Sequence, residues 1–120
     1  MIKPHGSDEL NPLFIYDSVK NKALQKEGES LPSVIISSAA SANAVQLGGG
    51  YFTPLTGYMN KADALSVVTN MRTTSGLFWP IPVLNLLEDI GTIKTGDRIA
   101  LKDPNVEGNP ILAIMDVEDI

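Results

Sequence analysis

The run Gly48–Asn60, GGGYFTPLTGYMN, sets four glycines and a proline among three large aromatic rings. Glycine reaches φ > 0 without steric cost, and proline fixes φ near −65° and removes a backbone donor. That many breakers exclude a regular helix or a central strand. A loop lying in solvent would be more polar. The segment therefore has to be a folded-back loop whose rings pack against ordered elements on either side, and any fold for this chain must supply them.

Those elements can be read outward from the loop. Upstream, Leu13–Tyr16 is an apolar run expected to be a strand, and Asp17 is placed to cap a helix reaching about Lys26 and ended by Gly28. The spacing of Val19, Ala23 and Lys26 gives that helix only a modest apolar stripe. Ser33–Ser37, SVIIS, is a β-branched strand behind Pro32. Ser38–Leu47 is an alanine-rich helix with serines to cap it, expected to stop where Gly48 takes φ > 0. Downstream, Asn60 caps a clearer helix, with Asp63 at its third position. Ala62, Leu65, Val68 and Met71, with Val67, line one face, and Thr73–Gly76 ends it. The remainder reads as strands at Leu77–Trp79, Val83–Leu87, Arg98–Lys102 and Pro110–Val117, with Asp103–Asn109 a hairpin turn between the last two. Short strands with non-repeating helices predict an α+β domain with a barrel-like sheet.

At 120 residues, 43% hydrophobic and 19% charged, one globular domain with a real core is expected. No apolar run approaches the ~18–20 residues that span a bilayer, and the start, MIKPHGSDEL, lacks the apolar stretch of a secretory leader. The chain has no cysteine, so it offers no disulfide or thiolate ligand, and a cytoplasmic setting fits. Nine basic against 14 acidic residues give a net charge of −5, with only Arg72 and Arg98 as arginines. An acidic chain without a basic run is a poor match for a phosphate backbone, so no nucleic-acid partner and no membrane partner are expected.

The search for chemistry excludes more than it finds. His5 is the single histidine, so no two-histidine site can form, and a histidine near a terminus is expected to be solvated. Gly91–Asp97, GTIKTGD, opens like a phosphate loop but has Asp97 where the lysine belongs. A turn into the next strand is the better reading. GGGYFT lacks the third glycine of a dinucleotide fingerprint. Asp103–Gly108 matches the first half of a calcium loop, but Ile114 stands at the twelfth position, so an Asx turn is expected. Arg72 is placed to meet the last carbonyls of its helix, ahead of any role on an anion. Glu88–Asp89 and Glu118–Asp119 read as solvated charges. No catalytic, cofactor-binding or metal-ligating residue is assigned to this chain.

Five of the seven aromatics, Tyr51, Phe52, Tyr58, Phe78 and Trp79, flank the helix that Asn60 caps and can meet on one side of it. A satellite core under the loop is the plainest use for them. A docking surface for a partner domain comes next, and a stacking platform for nucleotides last, given the acidic balance.

The residues GGGYFTPLTGYMNKADALSVVTNMRTTSGLFWPIPVLNL, together with the opening Pro4-His5-Gly6, closely resemble the N-terminal domain of the ATP sulfurylase (sulfate adenylyltransferase) family. The resemblance covers essentially the whole chain. It implies a PUA-like α+β domain, a small mixed β-barrel with short flanking helices, spanning 1–120 and followed by a nucleotidyltransferase catalytic domain. It implies an enzyme that joins ATP and sulfate into adenosine 5′-phosphosulfate and pyrophosphate, or runs in reverse in sulfur oxidisers, with magnesium carried by ATP. It further implies a homo-oligomer, a dimer being favoured, in which this segment supports its own catalytic domain. The loop and Phe78-Trp79 would then belong to that contact or to the adjoining core. The family's glutamine-x-arginine-asparagine and histidine-x-glycine-histidine motifs are both absent from these residues. The segment alone is therefore expected to be inactive. Because PUA-like folds elsewhere bind RNA, an RNA-binding module is the alternative.

Overall fold

The computed structural model describes residues 2–120. Three helices and three strands follow in the order α1 (Ser18–Ser30), β1 (Ser33–Ile35), α2 (Ser38–Gly49), α3 (Lys61–Asn70), β2 (Arg98–Lys102) and β3 (Ile111–Asp116). The sheet order is β1-β2-β3. β1 runs parallel to β2, pairing Val34 with Leu101, and β2 runs antiparallel to β3, pairing Ile99 with Met115. Parallel neighbours cannot be joined by a tight turn, so residues 36–97, carrying α2, the aromatic loop and α3, form one long crossover.

β2 is the hinge of the packing. Ile99, Ala100 and Leu101 are all buried, so both faces of the strand are covered. Around it, Ile36, Ala40, Ile99, Leu101 and Val117 make the sheet core. A second core lies within the crossover, built on Leu47, Val67, Trp79 and Val83. Tyr58 packs against both.

The α+β class and the helices stand as read from the sequence, with local corrections that have physical reasons. α1 is capped by Asp17 but runs past Gly28 to Ser30. Gly28 is buried, and a Cβ there would lie 2.9 Å from Ile111 Cδ1, so its smallness lets α1 approach β3. α2 likewise continues through Gly48, which lies under the Phe14 ring, and the left-handed cap is Gly50 at φ 83°. Ser37 leaves the strand to become the N-cap of α2, its hydroxyl accepting from the Ala40 amide. α3 begins where expected, with Asn60 accepting from the Asp63 amide at 2.9 Å. Its buried residue is Val67, while Leu65, Val68 and Met71 face outward.

Three expected strands are absent. Leu13–Tyr16 makes no ladder: the Leu13 and Phe14 amides both donate to the Gly48 carbonyl, at 2.9 and 3.1 Å. Leu77–Trp79 keeps one isolated bridge, Phe78 with Arg72, and Val83–Leu87 lies outside the sheet, with the Val83 carbonyl accepting from Met59 at 2.8 Å. These extended, β-branched or aromatic segments find single partners in neighbouring loops. The described strands form a mixed three-stranded sheet within the expected α+β domain, with no closed barrel traced among them.

The completeness of burial at β2 sets an expected cost. Leu101→Ala removes a side chain that is 1% exposed and should lower stability by about 2–5 kcal/mol. A urea titration should show the midpoint falling with little change in slope.

Candidate functional site

The aromatic loop is anchored from its first residue. Gly50 donates to the Leu47 carbonyl and Tyr51 to Gln46, closing the end of α2. Thr53 is buried: its hydroxyl accepts from the Asn11 amide at 2.9 Å and donates to the Gly50 carbonyl at 2.7 Å. The Thr53-Pro54 peptide is cis. Beyond it, Tyr58 donates its hydroxyl to the Ala40 carbonyl at 2.6 Å. Burial pushes that phenol up from the ordinary 10.0 to about 12.

The five aromatics divide between core and surface. Phe52 meets Trp79 edge to face, ring centroids 5.9 Å apart, and Trp79 is 7% exposed. Tyr58 joins them in the crossover core. Tyr51 is 80% exposed and Phe78 46%. Most of the loop's aromatic area is therefore structural, with two rings left on the outside.

The N-terminal arm straps this cluster. His5 is exposed yet not merely solvated, as the sequence suggested: its Nε2 lies 2.6 Å from the Phe78 carbonyl. A carbonyl only accepts, so Nε2 carries the donated proton. The imidazole stands edge-on to Phe78 and leans on Trp79, at centroid distances of 6.4 and 5.9 Å. Gly6, at φ 68°, fits beneath Leu77, where a Cβ would come within 2.7 Å of Cδ1. Between arm and loop lies a largely apolar cleft of about 670 Å³, lined by Pro4, His5, Leu10, Tyr51, Phe78 and Trp79 among others. A smaller, more polar depression of about 300 Å³ touches Asn60, Asp63, Thr73 and Glu118. The first cleft, lined mainly by apolar and aromatic side chains, can seat an apolar or aromatic group, and neither lining includes a lysine or arginine.

The remaining candidates resolve individually. Gly91–Asp97 is a turn: the Asp97 carboxylate accepts from the Lys94 amide at 3.0 Å and Gly96 donates to Val117 at 2.7 Å. Asp103 accepts from the Asn105 amide at 2.9 Å, forming the Asx turn of the hairpin. Arg72 does not reach the α3 carbonyls. It donates to the Gly76 carbonyl at 3.3 Å, while Met71, at φ 54°, donates its amide to Val67 and closes the helix. Asp89 accepts from the Gly91 amide. Glu118 and Asp119 are not free charges either. Glu118 accepts from Asn60 Nδ2 at 3.1 Å and Asp119 from the Lys61 amide at 3.0 Å, at the positive end of α3. Arg98 joins Glu27 at 2.7 Å and Asp116 at 3.1 Å, tying α1 to the sheet, and these hydrogen bonds push its guanidinium pKa further up. Among the described residues no three His, Cys, Asp or Glu side chains are placed to hold a metal. None of the helices is long and apolar enough to cross a membrane.

Sequence reasoning missed the roles of His5, Glu118 and Asp119. Their partners lie 73 and 58 residues away, and no local pattern encodes such pairings.

The PUA-like domain family matches residues 2–120, and the chain belongs to it. Over all 120 residues it is 61% identical to the sulfate adenylyltransferase of Alcanivorax borkumensis. It is equally similar, over 117 residues, to that of Allochromatium vinosum, and 52% identical over 120 residues to that of the Riftia pachyptila sulfur-oxidizing endosymbiont. The chain spans about 30% of the length of the first two relatives and 27% of the third. A solved structure described as a hexameric APS kinase from Thiobacillus denitrificans superposes with a TM-score of 0.84 and 31% identity, over 99% of this chain and 23% of that one.

Two outcomes follow from the loop. Trp79→Ala should cost about 3–5 kcal/mol in denaturant unfolding, as expected for an aromatic lost from a core. With Tyr58, the folded state holds a proton that the unfolded chain releases near pH 10, so its contribution is intact below that and is lost as pH rises toward about 12. Tyr58→Phe should flatten this alkaline loss of stability, measured by unfolding at pH 9 through 12, while costing roughly 0.5–1.5 kcal/mol at neutral pH.

Proposed function

We propose that residues 1–120 are the N-terminal, supporting domain of a sulfate adenylyltransferase whose catalytic nucleotidyltransferase domain follows. The observation that carries this reading is the 61% identity to the Alcanivorax borkumensis enzyme across every residue of the chain. The absence of converging anion donors around either cleft supports a structural part for this segment.

In the whole protein, a sulfate oxygen attacks the α-phosphorus of ATP. A phosphorus–oxygen bond to sulfate forms as the bond to the bridging oxygen breaks, and pyrophosphate leaves with that electron pair. Adenosine 5′-phosphosulfate is the product, and in the reverse direction the same displacement makes ATP. Donors fixed in the catalytic domain would supply positioning and charge stabilisation. Magnesium, when bound to the nucleotide, offsets phosphate charge. The residues described here do not make a site for it. What this segment contributes is a rigid base: two cores joined through Tyr58, an arm and an exit both tied to the crossover. The reading is of a cytoplasmic protein that assembles with like chains, a dimer being the expected unit. The Thiobacillus denitrificans neighbour, described as hexameric, supports self-assembly.

The full-length protein should release pyrophosphate from ATP only when sulfate is present, and residues 1–120 alone should not. Sulfate-independent or absent release by the full-length protein overturns the reading. So does tight RNA binding by the segment with a steep salt dependence in a filter assay, which would favour an RNA-binding module.

A further inference from the structure

We infer that the outward face of α3, Leu65 and Val68, together with Met71 at its C-cap, is the surface on which the polypeptide following Ile120 docks. The inference rests on the proposed reading of residues 1–120 as an N-terminal domain. It adds to that reading which surface meets the rest of the protein.

The first observation is the exposure of α3. Val67 faces the crossover core, yet Leu65, Val68 and Met71 are 59%, 67% and 51% exposed. Leu65 and Val68 are three apart on the helix and so are neighbours, and Met71 adjoins the helix end as its left-handed C-cap at φ 54°. A ten-residue helix with apolar side chains on two sides is one designed to be covered on both. A contiguous apolar strip of this kind marks a contact surface, where singly scattered residues would not.

The second observation is where the chain leaves the domain. Asp119 accepts from the Lys61 amide and Glu118 from Asn60, which fixes the exit at the N-terminus of α3. With a rise of 1.5 Å per residue, Leu65 lies about 6 Å and Val68 about 10 Å along the helix from Lys61. An extended chain advances about 3.3–3.6 Å per residue, so only a few residues beyond Ile120 are needed to reach the strip. The aromatic cleft, by contrast, is walled by the N-terminal arm, through Pro4, His5 and Leu10.

The third observation is length. The matched residues are 30% of the Alcanivorax borkumensis relative. A following part more than twice the size of this domain has ample surface to cover three side chains at its point of attachment.

The test uses the full-length protein with the photoreactive residue p-benzoylphenylalanine in place of Leu65 or Val68, and in place of the exposed Val19 of α1 as reference. After irradiation and digestion, mass spectrometry should find cross-links from positions 65 and 68 to residues of the same chain beyond 120. Their yield should be roughly tenfold above that from position 19, because only packed groups lie within contact distance. Cross-links that join two chains overturn the inference in favour of a second copy on the strip. A yield no greater than at position 19 overturns it outright. Should the bulky probe perturb folding, Leu65→Cys and Val68→Cys variants replace it: alkylation roughly tenfold slower than at Val19→Cys supports docking, since a packed side chain is out of reach of the reagent, and equal rates overturn it. Sulfate-dependent pyrophosphate release by the unsubstituted full-length protein reads the proposed activity separately. Cross-linking without activity leaves the docking surface standing and removes the enzyme reading, and activity without cross-linking does the opposite.

Discussion

The parallel pairing of β1 with β2 is the constraint on which the rest of the structure depends. Parallel strands need a connection that travels back across the sheet. Here that connection is residues 36–97, more than half of the chain. A crossover of this length cannot lie on the sheet as a single helix. It becomes a layer with its own core of Leu47, Val67, Trp79 and Val83, separate from the Ile36, Ile99 and Leu101 core below. Tyr58 is the joint between them, with its ring in contact with both cores and its hydroxyl on the Ala40 carbonyl.

Both described ends of the chain are then used to hold that layer down. The arm places His5 on the Phe78 carbonyl and Gly6 under Leu77. The exit places Glu118 and Asp119 on the first turn of α3. Each is a modest polar contact at the surface, and exposed pairs contribute little singly. Their value is geometric: they fix where the arm and residues 118–119 lie against the crossover.

Features set by neighbouring residues were legible in the sequence. Asn60 capping α3, Asp17 capping α1, the Asx turn at Asp103 and the Gly91–Asp97 turn all follow from side chains reaching amides two or three residues away. The clustering of Phe52, Tyr58 and Trp79 under the loop was legible too, because breakers and rings in one segment have few ways to be satisfied. Gly28 and Gly48 were misread as helix stops. A glycine that ends a helix and one that lets another element approach look the same until the approaching Ile111 or Phe14 is seen. The segments 13–16, 77–79 and 83–87 have strand composition but no ladder, since strand propensity describes fit to a pleated surface and cannot supply a partner.

By itself, then, the sequence determined the helices, the turns and the α+β class, since each depends on residue identity and short spacing. The tertiary structure alone decided which extended segments became a sheet, which face of α3 was buried, and what His5, Glu118 and Asp119 do. Those outcomes depend on contacts between residues dozens of positions apart, and such contacts exist only once the crossover has closed over β2.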